Sequence, residues 1–243
     1  HYRSPIIEKE TFLITLSQSG ETLDTISAQR YLTQRQPAIE SLSIGNNTLS
    51  TLALESTFFW PTLAGPEVGV ATTKVFSAQL FCLISLCAQL CKNKKRQKHL
   101  VQAISTLPLW AGEALQNQAS IKKQTQEYKN DHAMIFCARG ENYPIALEAA
   151  LKLKELAYVH ASAYATGELK HGPLALIDEQ LTSVFFVNKD NYLEKTKSNI
   201  SEVLARKGQV LIIGAEDALD QLKIHGQGIQ FIPTVKKSPP TEL

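Results

Sequence analysis

The sequence predicts an α/β protein of two domains, each a parallel sheet flanked by helices in a three-layer sandwich. Three observations predict it. First, an apolar run, a tight polar loop, a helical stretch and a second apolar run closed by glycine occur in that order twice. The copies are ITLSQSGETLDTISAQRYLTQRQPAIESLSIG (14–45) and VFFVNKDNYLEKTKSNISEVLARKGQVLIIG (184–214), close enough in length and pattern to suggest a duplicated domain. Second, the opening run of the first copy is continuous and β-branched, the pattern of a strand buried on both faces. A strand–helix–strand unit then implies parallel pairing with a right-handed crossover. Third, the stretch after Pro144 reads as a helix that is apolar almost all round. Ile145, Leu147, Leu151, Leu153, Leu156 and Val159 point in several directions, so protein is expected on both sides of it.

Taken in order, residues 11–16 (TFLITL) are the first strand. The loop Ser17-Gln18-Ser19-Gly20-Glu21-Thr22 follows, then a helix over 23–32 and a strand over 39–44 closed by Gly45. Residues 57–60 are a further strand. Residues 65–74 form a glycine-punctuated loop into a helix over 75–91, read as a buried core helix because Gln79, Ser85 and Gln89 interrupt it and it is short for a membrane span. Residues 97–128 read as one or two amphipathic helices broken near Pro108. The domain limits are therefore set at 1–95, 96–129 for connecting helices, and 130–243. The second half supplies strands at 132–137, 181–187, 210–213 and 230–232, with a helix over 193–205. A closing helix over the sheet is missing from the pattern, and residues 236–240 (KKSPP) have the composition of a disordered or artificial tail. The chain starts at His1 rather than Met, just ahead of a strand, and reads as a fragment.

Composition excludes several classes. With 243 residues, 44% of them hydrophobic, and a formal charge of +2, this is an ordinary globular chain with no long-range attraction for nucleic acid. No signal peptide is visible. The four cysteines, Cys82, Cys87, Cys91 and Cys137, form no Cys-x-x-Cys pair. Disulfides and zinc are not expected, and a reduced cytoplasmic compartment is the default. His99, His132, His160 and His225 show no ligand spacing, so no metal site is expected.

Two stretches carry chemistry. In 17–22, Ser17, Ser19 and Thr22 offer hydroxyls and Gly20 allows close backbone approach, at the point where an open α/β sheet binds ligands. The free N–H groups and dipole of the following helix favour an anion there. The competing explanation is that Ser19 or Thr22 is simply an N-cap. In the second stretch, Glu148, Lys152 and Glu155 fall at i, i+4 and i+7 and share one helix face. Charges on an otherwise buried helix are costly unless paired or used; the bland alternative is a salt-bridged solvent edge. The loop Gly167-Glu168-Leu169-Lys170-His171-Gly172-Pro173 then places a histidine among residues that turn tightly, expected to hold the ring near a pocket. The second copy of the repeat has Asn188-Lys189-Asp190-Asn191 in place of the hydroxyl run, so one composite site per pair of domains is expected.

The run ALEAALKLKELAYVHASAYATGELKHGPLALI (146–177) closely resembles the isomerase part of the glucosamine-6-phosphate synthase family, the glutamine–fructose-6-phosphate aminotransferases. The resemblance covers nearly the whole chain, and SQSGET (17–22) is similar to the sugar-phosphate loop of SIS (sugar isomerase) domains. It implies two SIS domains, the first incomplete at its N-terminal side and the second at its C-terminal side. It implies conversion of fructose 6-phosphate to glucosamine 6-phosphate by ring opening and C1–C2 proton transfer, without metal or organic cofactor. Ser17, Gln18, Ser19 and Thr22 would contact the phosphate, while Val70 and Thr72 would line the sugar site. His171 would open the ring, Glu155 would move the proton, Lys152 would sit near the developing charge, and Glu148 would position or relay protons. The implied partners are a second copy, in a homodimer whose histidine completes the neighbour's site, and a glutaminase domain in the full protein. The family's tail lysine and that glutaminase segment have no counterpart in these residues. Two other functions remain open: a non-catalytic SIS sugar-phosphate sensor, and another SIS isomerase or deglycase.

Overall fold

A computed structural model describes residues 5–235. The residue 236–240 composition noted above lies outside the described residues. The chain divides into two compact units, 1–105 and 106–243.

The first unit holds a parallel sheet of β1 (Phe12–Ser17), β2 (Glu40–Gly45) and β3 (Phe58–Pro61), in that order. Phe12 lies opposite Glu40 and Ser17 opposite Gly45. A Cβ on Gly45 would lie 2.8 Å from the Ser17 carbonyl oxygen. The glycine that closes the strand is therefore there because the chains converge too closely for any side chain. Helix α1 (Leu23–Arg35) lies against one face of the sheet. There it buries Gln29, at 1% exposure, whose amide donates to Ser56 at 3.2 Å. Ser56 and Thr15 both bond Ser43 at 2.5 Å, so that face is polar but satisfied. Helix α2 (Thr51–Glu55) is a short turn that the sequence reading lacks; Ser50 caps it by accepting the Ala53 N–H. Helix α3 (Lys74–Leu90) covers the other face, where Cys82 packs with Leu42 and Ile44.

Two expectations are corrected here. β1 is not buried on both faces: Phe12, Ile14 and Leu16 are 47%, 43% and 43% exposed, while Thr15 and Ser17 are buried. These three share a face with Leu42 and Ile44, which α3 covers, but β1 is the edge strand and that cover does not reach it. Nor is α3 a buried core helix. It buries Val75, Cys82 and Ala88, and leaves Leu80, Phe81 and Leu90 exposed, because one side only meets the sheet. A third correction concerns Pro108. Helix α4 (Lys94–Gln116) runs through it unbroken. No α4 residue is buried, so water can satisfy the carbonyl that proline deprives of its N–H partner.

The second unit holds β4 (Ala133–Ala138), β5 (His160–Ala165), β6 (Thr182–Val187), β7 (Gln209–Gly214) and β8 (Ile229–Pro233). All are parallel, in the order β5-β4-β6-β7-β8. The chain leaves β4 toward β5 and returns on the other side to β6, so the carboxyl ends of β4 and β6 flank a topological switch point. Helix α5 (Gln118–Gln124) precedes the sheet, and Ile121 packs on it. Helix α6 (Tyr143–Ala157), with Pro144 in its first turn, covers the same face as Ile121. Helices α7 (Leu193–Leu204) and α8 (Glu216–Leu222) cover the other face through Ile200, Val203 and Leu222, all fully buried. The unit β6–α7–β7 repeats β1–α1–β2, down to the closing glycine: a Cβ on Gly214 would lie 2.5 Å from the Val187 carbonyl oxygen.

The expectation that α6 is covered on both sides is corrected. Its buried residues are Ala146 and Ala150, which let it approach the sheet closely. Its large side chains radiate outward, with Ile145, Leu147, Leu151 and Leu156 39–54% exposed. Strand β5 and helix α8 are absent from the sequence reading.

Candidate active site

In the first unit, the loop after β1 closes on itself through its own hydroxyls. Ser17 Oγ accepts the Gly20 N–H at 3.0 Å and bonds Thr22 Oγ1 at 3.1 Å; Ser19 Oγ accepts the Glu21 N–H at 3.1 Å. Gly20 has φ +72°, and a Cβ there would strike Ser50 Oγ at 2.0 Å, so glycine is required on both counts. Thr22 occupies the N-cap of α1, but its side chain makes no capping bond. The N-cap explanation of the hydroxyl run therefore fails for both Thr22, which faces Ser17, and Ser19, which serves Glu21. The first turn of α1 keeps the dipole and orphan N–H groups that suit an anion.

Two residues without an assigned role organise this loop. Glu21 accepts the Thr51 N–H at 2.7 Å and the Thr51 hydroxyl at 2.8 Å, fastening the loop to α2. Those bonds from Thr51, backbone first, hold its carboxyl below the ordinary 4.5. Asn46 donates its backbone N–H to Gln18 O at 3.1 Å, and its side chain donates to Gly65 O at 2.7 Å and accepts from Thr62 at 2.8 Å. It thus links the hydroxyl loop to the start of the loop that carries Val70 and Thr72. Val70 is fully exposed and Thr72 half-buried. Glu67 ties the end of that loop to α3 by accepting the N–H groups of Thr73 at 3.2 Å and Val75 at 3.3 Å. Desolvation opposes ionisation of Glu67, but these bonds outweigh it and lower its pKa. The signal for Asn46 in the sequence is its place directly after the closing glycine, and for Glu21 its place inside the hydroxyl run.

In the second unit, Glu148, Lys152 and Glu155 come together as their spacing requires. Lys152 Nζ lies 3.5 Å from Glu148 Oε1 and 2.7 Å from Glu155 Oε2, with all three side chains partly exposed. Burial alone would lower the Lys152 pKa, but the bond from Glu155 and the field of both carboxylates prevail and raise it. His171 stands apart, on a 3-10 turn (Thr166–His171) after β5, and makes no hydrogen bond to the three. Its ring is exposed. A cavity of about 690 Å³ lies at the opposite end of the sheet, against Ala133, His160, Thr182 and Gln209 at the starts of the strands. The turn itself is well anchored. Leu169 is fully buried in the α7 core, Lys170 pairs with Glu202 of α7 at 2.9 Å, and Gly172 takes φ +137°.

No group of three His, Cys, Asp or Glu side chains among the described residues is placed to hold a metal ion. All four cysteines are free thiols, and no described helix is long and apolar enough to cross a membrane.

Comparisons with known proteins cover both of these stretches. The SIS domain model matches residues 1–88 and 127–221, the two stretches that contain the hydroxyl loop and the charged helix. The chain belongs to the SIS domain family. This SIS chain is 44% identical over 222 residues to the glutamine–fructose-6-phosphate aminotransferase [isomerizing] of Haemophilus ducreyi, covering 89% of this chain and 36% of that protein. The protein of the same name from Bartonella quintana is 42% identical over 231 residues, covering 91% and 38%. The chain thus spans little more than a third of the curated relatives it matches. Among solved structures, the C-terminal domain of glucosamine-fructose-6-phosphate aminotransferase from Francisella tularensis superposes with TM-score 0.90 at 33% identity, covering 96% of this chain and 67% of that one. A glucosamine-6-phosphate deaminase from Thermotoga maritima shares the fold, with TM-score 0.72 at 23% identity, covering 87% and 63%.

Proposed function

We propose that this SIS chain is the isomerase part of a glutamine–fructose-6-phosphate aminotransferase, converting fructose 6-phosphate and ammonia to glucosamine 6-phosphate. The observation that carries the reading is Lys152 held between Glu148 and Glu155. A sugar-phosphate sensor needs an anion loop but has no use for a paired acid–base group. The assignment to this reaction rather than another sugar-phosphate isomerisation draws on the names of the relatives above.

The roles follow from chemistry. The phosphate rests on the Ser17, Gln18, Ser19 and Thr22 loop, where neutral donors and the α1 N-terminus meet its charge. Val70 and Thr72 line the sugar. His171 opens the ring, general acid–base work to which a histidine side chain is suited. Glu155 moves the proton between C1 and C2. Its Oε2 is committed to Lys152, so Oε1 takes the proton. Lys152, kept cationic by its neighbours, stabilises the charge that builds on the enolamine-like intermediate. Glu148 completes the relay. A second copy supplies His171 to each site, a glutaminase domain supplies the ammonia, and free thiols suit the cytoplasm.

The test is Glu155→Gln in the intact protein. Turnover of fructose 6-phosphate should vanish while sugar-phosphate binding survives. Retained turnover would sink the assignment of Glu155, and a wild-type protein that binds the sugar phosphate without turning it over would favour the sensor.

A further inference from the structure

Arg139 has no part in the roles above, yet it reaches the turn that carries His171. It follows the carboxyl end of β4, and its Nη2 donates to Asn199 Oδ1 of α7 at 2.7 Å. Asn199 is 5% exposed. The same guanidinium lies against Gly167 in the His171 turn: a methyl group added to Gly167 would meet Nη1 at 3.3 Å and Nη2 at 3.7 Å. Arg139 Nε and Thr166 Oγ1 are both buried without a hydrogen-bond partner. A guanidinium that gives up water at one of its N–H groups is kept at a cost, and here it fills the space under a glycine. The bond to Asn199 holds the group in place, and its Nη1, Nη2 and Cζ lie 3.3, 3.7 and 3.8 Å from where a Gly167 Cβ would be, close enough to support the turn there. A lysine ammonium offers neither.

We propose that Arg139, held by Asn199, is a positioning residue that aims His171 by bracing the turn at Gly167. The proposal rests on the role assigned to His171 above. Three ties then set the turn: Arg139 under Gly167, buried Leu169, and Lys170 on Glu202. His171 is the next residue and is otherwise exposed, so its direction is inherited from them.

The experiment uses the intact protein and four variants: Arg139→Met, Asn199→Leu, Asn199→Asp and Gly167→Ala. Amide hydrogen exchange over residues 166–172 should quicken about tenfold in Arg139→Met and Asn199→Leu, with β4, β6 and β7 unchanged. In fructose 6-phosphate turnover, kcat should fall about tenfold with KM within about twofold. Asn199→Asp keeps the acceptor and should behave as wild type. Gly167→Ala should add little to Arg139→Met, since both act on one contact. Unchanged exchange, additive effects of Gly167→Ala and Arg139→Met, or faster exchange with unchanged kcat would each overturn the proposal. A wild-type protein without turnover would instead overturn the proposed function, and exchange and the double variant would still decide whether Arg139 braces the turn.

Discussion

Glu21 and Thr51 are joined twice across thirty residues of sequence: the Glu21 carboxylate takes both the backbone N–H and the hydroxyl of Thr51, at 2.7 and 2.8 Å. This clamp fastens the hydroxyl loop to α2, and Leu52 N–H donates to Gly20 O at 3.1 Å beside it. Glu21→Ala should therefore weaken fructose 6-phosphate binding even though the carboxylate bonds Thr51 rather than the loop's own hydroxyls. Titration calorimetry checks this, and unchanged affinity would count against the clamp.

The same contact has a pH signature. The Glu21 pKa is lowered in the folded chain by its Thr51 bonds, so its contribution is present above the ordinary 4.5 and fades as pH falls through the lowered value. Loop order, read by exchange at residues 18–22, should hold at neutral pH and loosen only in acid below about 4.5. Loosening that began near pH 6 would point to a different group.

Lys152 carries the opposite sign. Its pKa is raised, so the stabilisation from Glu148 and Glu155 is complete below the ordinary 10.5 and is lost only as pH climbs through the raised value. Lys152→Met should remove that alkaline feature from the melting profile and lower turnover. Because the pair is partly exposed, the stability change at pH 7 should be small, about 1 kcal/mol or less. A larger loss would mean that the pair also holds the helix in place.

Much of this was legible in sequence because chemistry sat at fixed spacing. Glu148, Lys152 and Glu155 needed helical geometry alone to meet, and Gly45 and Gly214 marked where strands converge. Burial was less legible. Ile145, Leu147, Leu151 and Leu156 read as core, yet α6 approaches its sheet through Ala146 and Ala150. Strand β5 (HASAYA) lacks the β-branched residues that mark strands, and its place beside β4 is a tertiary matter. Glu21 and Asn46 act on chain segments distant in sequence, which a linear reading does not connect.

Leu169 offers a separate handle on the His171 turn. It is fully buried among α7 and β6 residues, so Leu169→Ala should cost about 2–5 kcal/mol by deleting core volume. Exchange at residues 166–172 should rise with it, while Ser17 and Thr22 in the other unit keep their protection. A loss below about 1 kcal/mol would mean that the turn collapses onto the vacancy and that Leu169 anchors it weakly.

The bare face of β1 makes a prediction about the isolated 243-residue chain. By register, Phe12, Ile14 and Leu16 correspond to Thr182, Val184 and Phe186 of β6, since Phe12 pairs with Glu40 as Thr182 pairs with Gln209. Val184 and Phe186 pack into the cluster under α6, whereas Ile14 and Leu16 stay exposed beside a strand edge that no described strand pairs. An apolar strip on an edge strand invites pairing with another chain. The isolated chain should therefore associate as its concentration rises, and Ile14→Lys with Leu16→Thr should suppress this at little cost in melting temperature, because neither side chain is buried. Light scattering against concentration reads the outcome: equal association of the double variant and the parent chain would place the sticky surface elsewhere, and a large drop in melting temperature would show that the strip is covered in solution.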